Sequence, residues 1–174
     1  MTDTAASAST QAPAPPAPRR WLAIGLAIVA AIETLAALYG ISSVFLLLDE
    51  PMLFLADARW LIQLKLALGP FLASAALVLA MMGRVRVAVM MLAALALLGW
   101  IVELSSPIVN IFDVRLEIWS LEMFAQHFIY PLLAIAAIVL ARRNERLGLA
   151  ALLVSLPAII AIVDFTITAM VYGF

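Results

Sequence analysis

Five apolar stretches, each long enough to cross a hydrocarbon core as a helix, constrain this chain more than any other feature of its sequence. They run from Trp21 to Leu48, Leu61 to Met82, Val87 to Phe112, Ile118 to Ala141 and Leu147 to Tyr172. About 20 residues at a rise of about 1.5 Å each cover a core of about 30 Å. The expected fold is an all-α, polytopic integral membrane bundle of five transmembrane helices. Hydrophobic residues make up 67% of the 174, and charged residues 12%, against an apolar share of roughly 45–50% in soluble domains. An ordinary water-soluble fold is thereby excluded. Residues 1–18 read as a disordered cytoplasmic tail, because Ala, Ser and Thr dominate and the prolines between Pro13 and Pro18 oppose a continuous helix. Residues 19–174 form one five-helix domain. Arg19 and Arg20 before an apolar run resemble a secretory signal, but the run exceeds the roughly 7–15 residues of a signal core, so a retained anchor is expected.

Short links make neighbouring spans antiparallel. Gly83 to Arg86 and Arg142 to Arg146 are such links, and longer ones run from Asp49 to Trp60 and from Asp113 to Trp119. This topology puts Arg19, Arg20, Arg84, Arg86, Arg142, Arg143 and Arg146 on one side of the membrane. Arg59 and Arg115 fall on the other, among Asp49, Glu50, Asp57, Asp113 and Glu117. The positive-inside rule then predicts a cytoplasmic N-terminus and an external C-terminus, with Trp21 at the inner boundary and Trp60 and Trp119 at the outer one. Alanine-rich, arginine-flanked spans suit a bacterial inner membrane.

Composition also excludes chemistry. A formal charge of −1 gives no basic excess for nucleic acid phosphates. With no cysteine, disulfides, thiolate metal sites and iron–sulfur clusters are excluded. A single histidine, His127, is too few for two axial haem ligands between helices. Glu122 and His127 are five apart, not the three of di-iron bundles, and phosphate loops, nucleophile elbows and zinc-hydrolase motifs do not occur. Neither a cofactor nor a metal is expected.

A shift of 61 residues lays Pro70 on Pro131, and the segments Pro70–Ala80 and Pro131–Ala141 agree at eight of eleven positions. The same shift lays Ile101-Val102-Glu103 on Ile162-Val163-Asp164, acid over acid. A duplicated hairpin, residues 61–113 and 122–174, would relate its copies by a pseudo-two-fold axis along the membrane normal, and would put Glu103 and Asp164 at equivalent depth.

Polar residues within the spans are the candidate site. Counting from the cytoplasmic ends, Glu33, His127, Glu103, Asp164, Lys65 and Glu122 lie between about 18 and 28 Å, all in the outer half. A charge at mid-membrane costs about 2.5–3.5 kcal/mol on insertion scales, so such groups turn toward the bundle or a wet cavity. Glu103, Ser106 and Asn110 share a helical face with Trp100 one turn before; Glu122, Gln126 and Tyr130 share another, and these two stripes are expected to face each other. Ala30, Ala37 and Gly40 around Glu33 would let the first helix approach a neighbour closely. Lys65 and Glu122, being shallow, either snorkel to headgroups or join the buried set. Three functions fit: binding or transport of a proton, a cation or a small amphipathic ligand; an accessory subunit docking a membrane-protein partner; or a proton-transfer enzyme acting on a lipid-soluble substrate. Acids outnumber bases in the layer, which favours a cationic ligand over an anionic one.

Overall fold

The computed structural model describes residues 17–47, 59–104 and 124–172. Among these, all regular structure is helical: α1 (Ala17–Leu47), α2 (Arg59–Met81), α3 (Val85–Leu104), α4 (Tyr130–Arg143) and α5 (Leu147–Tyr172). A π-helical turn, Ala125–Ile129, leads directly into α4. Five segments are long and apolar enough to cross a bilayer: Arg20–Ile41, Leu61–Met81, Val85–Val102, Ala125–Arg143 and Leu147–Val171. By length and composition the chain is a five-span integral membrane protein. The first helix starts at Ala17, slightly earlier than expected, because Pro18 falls in the first turn, where a missing N–H costs nothing.

Around the bundle α1 packs on α2, α2 on α3, α3 on α4, α4 on α5 and α5 back on α1, while α3 also touches α1 and α5. Its exterior is apolar, with Ile28, Leu35, Phe71, Leu132, Leu152 and Phe165 exposed, whereas its interior is mostly alanine. That arrangement suits lipid, where helix association relies on close packing of small residues. Ala73, Ala76 and Ala80 of α2 are buried in a stripe at i, i+3 and i+7, as are Ala134, Ala137 and Ala141 of α4. Gly69 lets α2 close on both sides, since a Cβ there would stand 3.8 Å from Leu95 Cδ1 and 4.0 Å from the Ala37 Cβ.

The arginine-bearing links meet at one end of the bundle. Arg86 Nη2 donates to the carbonyl of Arg142 at 3.0 Å, supplying a cation to the C-terminus of α4. At the same end a Cβ on Gly148 would stand 3.8 Å from Leu22 Cδ2. Next to this end Leu26 and Val89 are buried completely among alanines, leaving that half of the bundle solid.

The two hairpins end their first helices alike. Gly83 (φ 72°) and Asn144 (φ 55°) are both left-handed. The Gly83 N–H bonds the Ala80 carbonyl and the Arg84 N–H the Leu79 carbonyl; the Asn144 and Glu145 N–H groups bond Ala141 and Leu140 in the same way. This is the helix-ending pattern in which a left-handed residue frees two amides to reach back. Beyond the turn the expected register is corrected. Arg84 also accepts from Val87 and Ala88, a role that falls to Arg146 in the second hairpin, with Leu149 and Ala150 as donors. One additional residue, left-handed Arg146 (φ 43°), has entered the second turn, so α3 and α5 correspond at an offset of 62, from Val85 to Leu147. The buried residues agree with that offset: Ala88 with Ala150, Val89 with Ala151, Leu92 with Val154, Ala93 with Ser155. At that offset Glu103 falls level with Phe165 and not with Asp164, one residue or about 100° around the helix from the expected match.

Asn144 tolerates the left-handed conformation better than a β-branched residue does. Asn144→Gly should leave the thermal unfolding midpoint unchanged or raised, while Asn144→Val should destabilise the detergent-solubilised protein by about 1–2 kcal/mol. Equal midpoints for the two variants would refute the turn geometry.

Candidate functional site

Proline spacing determines how α4 begins. Pro131 has no N–H to give the carbonyl four residues earlier, which belongs to His127. The Tyr130 N–H is diverted to Ala125, five residues back, making the π-helical turn. Trp100 Nε1 of α3 then donates to the His127 carbonyl at 2.9 Å. A neighbouring helix thus meets the need that the proline creates, as backbone at membrane depth requires. It also turns Gln126 and Tyr130 toward α3. Of the two stripes expected to face each other, only Trp100, Gln126 and Tyr130 have side chains among the described residues.

These residues border a cavity of about 480 Å³ to which all five helices contribute. Val29, Leu92 and Val154 floor it, the last two about 10 Å from the arginine end at 1.5 Å per residue; aliphatic side chains form most of the walls. Among the described residues its polar members are Glu33 from α1, Lys65 from α2, Trp100 from α3, Gln126 from the π-helical turn and Tyr130 from the start of α4. Both charged members, Glu33 and Lys65, line the same cavity. Lys65 does not snorkel to the headgroups: its Nζ lies 3.9 Å from where a Cβ on Gly99 of α3 would stand. Gly99 makes room for the ammonium, and α2 carries it inward past its own backbone. On α1, Thr34 beside Glu33 turns its hydroxyl back to the Ala30 carbonyl at 2.6 Å, so the carboxyl is that turn's contribution to the cavity. Gly40, one face along, would meet nothing within 4 Å if given a Cβ.

Five of the ten candidate residues are therefore brought together: Glu33, Lys65, Trp100, Gln126 and Tyr130. His127 is half-buried and does not line the cavity; its backbone carbonyl, not its ring, makes the bond to Trp100. Asp164, expected in the same buried layer, is exposed. At about 26 Å along α5 its carboxylate is close enough to the far boundary to reach headgroup water, so it needs no partner inside. The Glu103 side chain, Asn110 and Glu122 lie outside the described residues, as do Trp119 and the side chain of Trp60. Among the described residues no three of His, Cys, Asp and Glu gather as a metal site would require. Sequence reasoning missed Gly99, Gly69 and Leu66. Their signal was spacing: Gly69-Pro70 marks close packing beside a freed carbonyl at Leu66, and Gly99 precedes Trp100.

Comparison with protein-family models, curated proteins and solved structures finds no match.

The bond between Trp100 and His127 depends on Pro131. Trp100→Phe should destabilise by about 1–3 kcal/mol by leaving a carbonyl without its donor. In a Pro131→Ala background a restored N–H can serve that carbonyl, and the same substitution should cost visibly less. A double-mutant cycle on thermal unfolding in detergent tests this, and an unchanged cost in the second background would remove the proline from the explanation.

Proposed function

We propose that this protein binds a small amphipathic molecule inside its membrane bundle, and that the bundle consists of α1 and two copies of one helical hairpin, α2–α3 and α4–α5. The observation that carries the reading is a five-helix cavity of about 480 Å³, within the roughly 300–1,000 Å³ of ligand sites and, like them, mostly apolar with a few convergent polar groups. The duplication is supported by the matched helix ends and by the cavity itself. Lys65 and Gln126 each stand five residues before the paired prolines, and Leu92, Leu95, Ala96 and Gly99 correspond to Val154, Pro157, Ala158 and Ala161. All ten line the cavity. Transporters with parallel repeats likewise bind at the repeat interface. The alanine-packed half closes the arginine end, so the reading is of a chamber and not of a continuous pore.

We place the arginine end in the cytoplasm, residues 1–18 with it, and the cavity in the outer half of a bacterial inner membrane. Excess arginine at that end supports this orientation. Because the chain has no cysteine, a single introduced thiol reports its own side: Arg84→Cys should react with a membrane-impermeant maleimide only after cells are opened. Labelling of intact cells would reverse the topology.

Gly40→Phe tests the cavity. The ring enters open space, so the variant should fold with an unchanged or higher unfolding midpoint. It should also lose about tenfold or more of the affinity for a neutral amphiphile such as decanol in nanodiscs, one lost ligand contact area of about 1.4 kcal/mol. Wild-type affinity in a folded Gly40→Phe protein would overturn the proposal.

A further inference from the structure

Among the described residues the cavity is lined by one carboxyl group, Glu33, and one ammonium, Lys65, and this combination bears on what fills it. In the duplicated frame each hairpin offers one polar group five residues before its proline, Lys65 in the first and neutral Gln126 in the second. Outside the repeat, α1 adds Glu33. Among the described lining residues the two charges are thus contributed by α1 and α2, with the Lys65 ammonium reaching toward Gly99 of α3, while Leu92, Leu95, Val154 and Ala158 give an aliphatic surface.

Consider each class of occupant. A cationic amphiphile drawn to Glu33 would bring its charge against the Lys65 ammonium, and an anionic one drawn to Lys65 would meet Glu33. Like charges set together in a water-poor site cost several kcal/mol. A neutral amphiphile leaves the pair to satisfy itself and gains only apolar contact. A head with both charges offers an anionic group to Lys65 and a cationic group to Glu33, and compensates both at once.

We infer that the cavity selects a zwitterionic amphiphile, a compact head with one cationic and one anionic group on an apolar tail. The cationic group faces Glu33, the anionic group faces Lys65, and Gln126 and Tyr130 hydrogen-bond the head from the opposite side. This differs from the expectation of a cationic ligand, since the sequence showed an excess of acids and, among the described residues, one acid and one base line the cavity. The inference rests on the amphiphile-binding reading above. Its chemistry is shared by free zwitterionic metabolites and by lipids with zwitterionic headgroups.

The test is calorimetric titration of the full chain in phosphatidylglycerol nanodiscs with three probes of equal tail: N-decyl-N,N-dimethylglycine, decyltrimethylammonium and decanoate. The zwitterion should bind on the order of a hundredfold tighter than either singly charged probe, as one uncompensated like-charge contact predicts. Lys65→Gln, which copies the residue at the corresponding position of the second hairpin, should erase the preference over the cation. Glu33→Gln should erase the preference over the anion. Adding phosphatidylcholine to the nanodiscs separates the sources: a weakened probe indicates that the headgroup competes, and an unchanged one indicates a free amphiphile, each consistent with zwitterion selection. Equal binding of the three probes by wild-type protein, or a preference that survives both substitutions, would overturn the inference. If Gly40→Phe abolishes that equal binding, the amphiphile site stands and only its charge selectivity falls; if Gly40→Phe changes nothing, the site itself falls. Should either glutamine variant fail to fold, the wild-type ranking decides alone.

Discussion

Helices already dissolved in lipid gain no hydrophobic energy by touching one another, and the rest of this structure follows from how that lack is met. Association has to come from short interaxial distance, many dispersion contacts and a few internal hydrogen bonds. Alanine stripes at Ala73, Ala76 and Ala80, and at Ala134, Ala137 and Ala141, provide the first two. Dispersion contacts are individually about 0.1–0.2 kcal/mol, so their sum depends on continuous contact. Larger side chains on the same faces would hold the helices apart, and they appear instead on the lipid side. Where the small residues give way to Glu33, Lys65, Trp100 and Tyr130, the helices remain at their spacing but no longer fill it. The cavity is the result.

Backbone polarity sets the second constraint. Each proline within a span removes an amide from a helix that has no water to replace it. At Pro131 the solution is visible: the preceding turn widens to π geometry and a tryptophan from the next helix reaches the carbonyl. The same event orients Gln126 toward the cavity. A π turn often accompanies function because it displaces one residue from the helical register without breaking the helix. Pro70 and Pro157 also border the cavity, so the carbonyls these prolines free lie near its wall.

The number of spans and the grouping of arginines were legible in the sequence because they depend on length and composition alone. The likeness of the two hairpins was legible at the prolines, where eleven residues in sequence keep a common helical face. Beyond the turn it was not, because one more residue in the second turn leaves no trace in apolar composition, yet shifts the register of everything after it. Setting Glu103 over Asp164 overlooked that shift. Depth along a helix was also readable, but direction around it was not. Lys65 and Asp164 lie at nearly the same height; Gly99 gives the lysine a place to turn inward, whereas α5 at Asp164 is exposed. Such complementarity between a charge on one helix and a glycine on another lies between segments and is not carried by either.

A structural explanation for Glu33 and Lys65 is that they hold α1 against the repeats. The packing argues against it. α1 and α2 already approach to near backbone contact at Ala37 and Gly69, and buried ion pairs add little over well-packed apolar residues of the same volume. An aliphatic pair would have held these helices together and filled the space besides. In the binding reading proposed above, what the charges would add is direction. Two hairpins alone would enclose a chamber whose sides differ only as Lys65 differs from Gln126, and an occupant would bind in either sense. With α1 set against one side, the acid and the base define a head end, and a molecule lying in the chamber has one orientation in which both of its ends are satisfied.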